Sequence, residues 1–403
     1  MALSFHYISN GKLWHYNDGK TTELRSHILD SYIEKVKESA QRSEWKHSGE
    51  GAMFRDAYIP GADAESRVSA VNSRIFCADM YDGSHIYSLA IDRNTGIYRR
   101  TDGEKTDGIV ISSGDNSYCD FDIMNDRMVL TSAFAGESHI GVLKMGSTDC
   151  RMYTEGSTWD SQPVWSMTED DIVYFCSSGL PENNTSERPE RPMDMQQMAV
   201  RMFTSAPQPK KRGPTAICRL DIAHGELTEF IEDEKYDHIR PQSLPNGSLC
   251  YIRRPYETES APQTLGCLGD LFMLPVRLLS ALFGFLNVFS AKYSGKTLSK
   301  TYGAKNPDEQ KLFIDGNLIN AEAELRANRT SGDKNPGIIP RSWELRCRLP
   351  NGDDRLIKKG VAAYHIDTTT GDIIISNGSA IIKIARDGSE EKLLSAEQVT
   401  FIR

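Results

Sequence analysis

Asp160-Ser161-Gln162-Pro163-Val164-Trp165-Ser166, followed after Met167-Thr168-Glu169-Asp170-Asp171 by Ile172-Val173-Tyr174-Phe175-Cys176-Ser177, is the stretch that decides how this chain is read. Each half reads as a short strand, the first opening on an aspartate and the second a strand-like apolar run bounded by the acidic break. The acidic break between the halves carries no helical spacing and reads as a turn. A lone hairpin is marginal in water, so the question becomes whether the unit recurs.

It recurs on both sides. Upstream, Arg74-Ile-Phe-Cys-Ala-Asp-Met-Tyr81 is followed by Ser84-His-Ile-Tyr-Ser-Leu-Ala-Ile91 and, after Asp92-Arg-Asn-Thr-Gly96, by Ile97-Tyr98-Arg99. A second unit runs from Asp115 through Arg127-Met-Val-Leu-Thr-Ser132, His139-Ile-Gly-Val-Leu143 and Cys150-Arg-Met-Tyr153. Downstream of Asp160 the unit resumes at Ala216-Ile-Cys-Arg-Leu-Asp221. The pattern then restarts at Asp237-His-Ile-Arg-Pro241 with Asn246-Gly-Ser-Leu-Cys-Tyr251. The last copy is Val361-Ala-Ala-Tyr-His-Ile366, Asp372-Ile-Ile-Ile-Ser376 and Ala380-Ile-Ile-Lys-Ile384. Asp115 and Asp160 are 45 residues apart. Asp160 and Asp237 are 77 apart, and the Pro-rich stretch 180–214, 35 residues long, reduces that to 42. Four-stranded propeller blades recur at about 40–50 residues.

The ends complete the pattern. Residues 4–8, 12–16 and 20–24 read as strands punctuated by Asn10-Gly11 and Asp18-Gly19, and Gln398-Val-Thr-Phe-Ile-Arg403 reads as a strand without a blade. Placing the last strand in the first sheet removes two exposed edges. The expected fold is therefore all-β with helical insertions, a six-bladed β-propeller closed by its N- and C-terminal strands. Beyond the shared blade, the expected blades are 67–102, 115–155, 158–232, 237–360 and 361–396. An open β-sandwich or two unrelated β-domains is the rival. The expected organisation is a single propeller over 1–403 with insertions at 25–60, 180–214 and 256–340.

The Asp160–Ser166 opening with Ile172–Phe175 resembles the blade opening of TolB-type propellers, and similar repeats occur in the propeller domains of dipeptidyl peptidase and prolyl oligopeptidase relatives. Asp237–Pro241 with Asn246–Tyr251 resembles the same unit without its tryptophan. The Pro-Asp-Gly turn usual after the tryptophan is replaced here by Met167–Asp171. The resemblance implies the fold and carries little about function.

Composition narrows the classes. Over 403 residues, 47 Lys and Arg against 56 Asp and Glu leave a formal charge of −9, so no nucleic-acid partner is expected without a local basic patch. Lys210-Lys211-Arg212 is three basic residues in a Pro-rich loop and reads as a solvated turn. Eight cysteines stand at 77, 119, 150, 176, 218, 250, 267 and 347 without Cys-x-x-Cys or Cys-x-x-His spacing, and they read as reduced core thiols. Met1–Ile8 has neither a basic nor an apolar leader segment, and the expectation is a cytoplasmic protein.

Two insertions have helical character. Within 25–60, Ile28, Leu29, Tyr32, Ile33 and Val36 recur at helical spacing, with Glu34, Lys35, Lys37 and Glu38 opposite. Residues 265–291 are the greasiest stretch of the chain. After Pro275, Arg277, Ser280, Gly284, Asn287 and Ala291 form a narrow small-or-polar stripe. Leu278, Leu279, Leu282, Phe283, Phe285, Leu286, Val288 and Phe289 cover the rest. From Pro275 to Ala291 a helix would reach roughly 25 Å, short of the ~30 Å hydrocarbon core, and Asp270 and Arg277 oppose spanning. A blade has no spare core for such side chains. Each one left in water forfeits about 1.5–3 kcal/mol. Cover must come from the insertion itself, from a protein partner or a second copy, or from an anionic membrane surface, for which Lys292, Lys296, Lys300 and Lys305 would be suited.

Candidate groups at the channel mouth are Asp115, Asp160, Asp237, His238 and Arg240, with Asp120 and Asp122 nearby in sequence. Aspartates that open blades commonly tie loops. No catalytic residue is assigned, no calcium-type Asp-x-Asp-x-Asp-Gly, Gly-x-Ser-x-Gly or Gly-rich phosphate loop occurs, and no cofactor or metal is expected. The leading expectation is a non-enzymatic binding platform that uses Leu278, Leu279, Leu282, Phe283, Phe285, Leu286 and Phe289, as a cytoplasmic protein peripheral to the membrane or docked to a partner. The alternatives are a hydrolase or lyase at the central channel, and a sensor component serving a separately encoded effector.

Overall fold

The computed structural model describes residues 3–43, 68, 71–92, 94–179, 212–256, 311–314 and 317–403. Among them the chain is mostly β, in antiparallel meanders that follow sequence order. β1 (Ser4–Ser9), β2 (Lys12–Asn17) and β3 (Lys20–Glu23) make the first sheet, and β26 (Val399–Ile402) pairs with β1 through Tyr7↔Ile402 and Ile8↔Phe401. The β1–β2 turn is Asn10-Gly11, at φ 50° and 73°. Both residues lie in the left-handed region that a two-residue hairpin matched to strand twist demands.

β4 (Ser73–Tyr81), β5 (Ser84–Ile91), β6 (Asn94–Arg100) and β7 (Gly108–Ser113) form the second sheet. It runs past the boundary expected at residue 102, because Asp102-Gly103 turns the chain into a fourth strand and does not end the unit. β8 (Ser117–Met124), β9 (Arg127–Phe134), β10 (Glu137–Lys144) and β11 (Cys150–Met152) form the third. The fourth is β12 (Thr158–Trp165), β13 (Ile172–Gly179), β14 (Ala216–Asp221) and β15 (Glu226–Ile231). One parallel bridge, Ser138↔Trp159, joins these two meanders into an eight-stranded sheet.

The fifth sheet has the order β16 (Tyr236–Ser243), β17 (Leu249–Pro255), β20 (Glu344–Arg348), β21 (Asp354–Lys359). Between β17 and β20 lie a separate hairpin, β18 (Lys311–Ile314) with β19 (Asn317–Asn320), and helix α2 (Ala321–Thr330), whose N-cap Asn320 accepts from the Ala323 N–H. β22 (Ala363–Ile366), β23 (Ile373–Ser376), β24 (Ala380–Ile384) and β25 (Glu390–Ser395) form the last.

Apolar clusters bind each sheet to its neighbour. Ile239, Cys250, Leu345, Tyr364 and Ile375 join the fifth sheet to the last, while Phe5, Tyr7, Ile374 and Ile381 join the last to the first. Helix α1 (His27–Ser43) lays Ile28, Leu29 and Tyr32 on Ile8, Leu13, Tyr87 and Leu89. Its start is fixed by polar chemistry. Ser26 Oγ accepts from the Leu29 N–H at 3.2 Å, and the Asp107 carboxylate accepts from the His27 N–H at 2.7 Å, an anion at the positive end of the helix.

Residues 44–60 of the first insertion, 180–211 of the second and 257–310 of the third lie outside the described residues, and so do all of 265–291. Among the described residues no helix is long and apolar enough to cross a membrane.

Candidate functional site

The first strand of a meander should present alternate residues to one face, but four of these strands break that register at matching positions. The shift falls between Ile75 and Ala78 in β4, Tyr118 and Phe121 in β8, Ser161 and Val164 in β12, and Ile239 and Gln242 in β16. The displaced pairs are Phe76-Cys77, Cys119-Asp120, Gln162-Pro163 and Arg240-Pro241. A bulge leaves a residue unpaired and re-aims its side chain, and proline tolerates that position because it has no N–H to offer a ladder. Gln162 and Arg240 take φ of 52° and 57°, a left-handed conformation that costs a residue with a Cβ about 1–2 kcal/mol.

Hydrogen bonds offset this. Arg240 N–H donates to Gln162 Oε1 at 2.7 Å, its guanidinium donates to the Thr400 carbonyl at 2.6 Å, and Tyr364 Oη donates to the Arg240 carbonyl at 2.7 Å. The bulges thus tie β12, β16, β22 and β26 to one another around a shared space.

That space is a cavity of about 270 Å³, lined from β4, β8, β12, β16, β22 and β26, with Arg74, Phe76, Asp120, Gln162, Arg240 and Thr400 among its walls. A second cavity of about 350 Å³ lies further along the same strands, against His6, Asp79, Asp122 and Trp165. Val164, Gln242, His365 and Arg403 line both. Arg403 sits between Asp79, at 3.0 Å, and Asp122, and donates to the Phe121 carbonyl at 3.2 Å. Burial works against its charge, but Asp122 and Asp79 outweigh burial and hold its pKa above the ordinary guanidinium value. Burial, assisted by Arg403, pushes His365 down to about 4.

The residues expected at a channel mouth are placed as follows. Asp160 is buried and accepts the hydroxyls of Thr154 and Ser177 at 2.6 and 2.7 Å. Asp237 accepts the Thr215 N–H at 2.9 Å and pairs with Arg254 at 3.2 Å. His238 is buried against Tyr251, ring centroids 5.4 Å apart, and burial lowers its pKa. Asp115 is exposed in the turn before β8, where its N–H donates to Ser113 Oγ at 3.0 Å. Asp122 accepts the Trp165 N–H at 2.6 Å, and Asp120 lines the cavity. Of the five expected residues, only Arg240 lines either cavity. Leu278, Leu279, Leu282, Phe283, Phe285, Leu286 and Phe289 lie outside the described residues.

A histidine cluster escaped the reading of the sequence. His6 Nε2 and His85 Nδ1 are hydrogen-bonded at 2.8 Å, and the His15 ring lies 5.1 Å from each of them. Burial, then the neighbouring His85 and His15, push His6 down to about 3. Their spacing in sequence has no metal or catalytic signature; only the pairing of β1 with β2 and the packing of β5 alongside bring them together. Among the described residues no group of three or more His, Cys, Asp or Glu is arranged to hold a metal ion.

No family model matches the chain, and no curated protein matches it. Solved structures do. TolB from Acinetobacter baumannii is similar at 7% identity and a TM-score of 0.47, over 99% of this chain and 64% of that one, so this chain spans less than two thirds of that structure. A putative TolB from Agrobacterium tumefaciens is similar at 10% identity and a TM-score of 0.42, over 81% of this chain and 84% of that one. A chain of a nidogen/laminin complex is similar at 9% identity and a TM-score of 0.43, over 99% and 97%. These are similarities of fold.

Proposed function

We propose that the chain is a six-bladed propeller closed by β26 in the β1 sheet, and that it works as a non-enzymatic protein-interaction platform. Its contact element is the apolar stretch 265–291, through Leu278, Leu279, Leu282, Phe283, Phe285, Leu286 and Phe289. The observation that carries the reading is the direct pairing of β17 with β20, from Leu249↔Arg348 to Arg253↔Glu344. Among the described residues the fifth sheet has four strands, none of them from 256–343. An apolar stretch that the sheet does not need still has to be kept from water. A chain of net charge −9 meets an anionic membrane at a disadvantage, which favours a protein as the cover.

The rival enzyme requires convergent acid and base groups at the channel. Asp160 and Asp237 instead take part in hydrogen bonds that tie neighbouring strands, which supports the non-enzymatic reading.

The test compares the full chain with a Leu279→Glu/Phe283→Glu variant in capture from native lysate. Light scattering of each protein alone and co-sedimentation with phosphatidylserine vesicles run beside it. A specific protein held by the wild type and lost by the variant, with both monomeric and neither sedimenting, is the expected result. Equal capture, a dimer broken by the variant, or vesicle binding lost by the variant would each overturn it.

A further inference from the structure

The fifth sheet sets two thiols face to face. Cys250 on β17 and Cys347 on β20 are direct antiparallel partners, flanked by Leu249↔Arg348 and Tyr251↔Arg346. Directly opposed residues project to one face with Cβ atoms about 4.5–5.5 Å apart, and a disulfide draws them to about 3.5–4.5 Å, a small adjustment between neighbouring strands. Both side chains belong to the apolar cluster that packs the fifth sheet on the last. Both are free thiols, with Cys347 at 9% exposure and Cys250 at 1%.

The pair is also chemically asymmetric. The interaction between the two thiols holds Cys347 below its ordinary pKa and pushes Cys250 up. Burial pushes Cys77, Cys119, Cys150, Cys176 and Cys218 up. Among the described residues, then, the thiol closest to thiolate is the one whose partner stands directly across the ladder. Thiolate character and access together select which cysteine an oxidant reaches first.

We propose that Cys250 and Cys347 are a peroxide-responsive pair that closes to a disulfide, stapling β17 to β20 at the base of residues 256–343. The Cys347 thiolate attacks one oxygen of hydrogen peroxide. The O–O bond breaks, and the departing hydroxide takes up a proton as water, leaving Cys347 as a sulfenic acid. Cys250 sulfur then attacks Cys347 sulfur, its proton passing to the sulfenic hydroxyl, which leaves as a second water. Two thiols lose two electrons in total, and one peroxide is reduced to two waters.

The experiment treats the full chain with hydrogen peroxide, alkylates remaining thiols under denaturing conditions, and maps unreduced peptides by mass spectrometry. The expected result is a Cys250–Cys347 cross-linked peptide, two hydrogens lighter than the separate peptides, that disappears on reduction. In a Cys250→Ser variant, Cys347 should instead be trapped by dimedone as a sulfenic acid. Recovery of both cysteines alkylated from peroxide-treated wild type would overturn the proposal, as would Cys347 joined to any other cysteine. Because the wild-type result decides, a variant that fails to fold leaves the test intact.

Discussion

Along β12, Asp160 and Gln162 are two residues apart, and along β16, Asp237 and Arg240 are three apart. All four are polar and stand in the first strand of a meander. Asp160 and Asp237 are buried in ties to Thr154, Ser177, Thr215 and Arg254, whereas Gln162 and Arg240 line the cavity at positive φ. On a regular strand, residues two apart share a face, so Asp160 and Gln162 would point the same way. The bulge separates them. The aspartate row holds sheet to sheet, and the bulge row builds the cavity wall.

The largest effect expected from this division is on acid stability. His6, held near 3, and His365, held near 4, are neutral in the fold and bind protons more readily when unfolded, where the ordinary value is about 6.5. Their contribution is present above about pH 6.5 and is lost as pH falls from there toward 3–4, by a few kcal/mol for each histidine. Urea midpoints between pH 8 and 4 check this. A flat profile would mean that these rings are solvated.

Trp165→Ala comes next. The ring is 1% exposed, lies under the Arg127 guanidinium at 4.6 Å, and stands in the same strand as both rows. A loss of about 3–5 kcal/mol in denaturant unfolding is expected. Asp160→Ala should cost about 2–3 kcal/mol, since the buried Thr154 hydroxyl and the half-buried Ser177 hydroxyl lose their acceptor, while Asp115→Ala should stay within about 0.5 kcal/mol. Equal effects of the two would erase the distinction between a tying and an exposed aspartate.

The smallest effect is the sharpest test of the bulge row. Gln162→Gly relieves about 1 kcal/mol of left-handed strain, yet removes the acceptor for the Arg240 N–H, worth about 1 kcal/mol. The net change in unfolding free energy should lie within about 1 kcal/mol of zero, whereas Gln162→Ala keeps the strain and should be clearly destabilised.

Much of the fold was legible in one dimension. Short β-branched and aromatic runs such as Ile172–Ser177 and Ile373–Ser376, and turns such as Asn10-Gly11, are local properties, and a strand or a hairpin turn follows from them with little outside help. The helical spacing of Ile28, Leu29 and Tyr32 is local in the same sense. The candidate site was far less legible. Gln162-Pro163 and Arg240-Pro241 look like ordinary strand openings, and nothing within either dipeptide announces a positive φ. The conformation is held by the hydrogen bond that Gln162 Oε1 accepts from the Arg240 backbone N–H, 78 residues away.

From its residues alone this chain determines that it forms repeated four-stranded meanders and carries one apolar stretch those meanders do not require, because side-chain period and turn chemistry act between near neighbours. Only the tertiary structure decides which polar residues line the cavity, that His6, His15 and His85 meet, and that Cys250 faces Cys347. Those outcomes depend on register and on packing between sheets, where the partner's identity lies tens to hundreds of residues away.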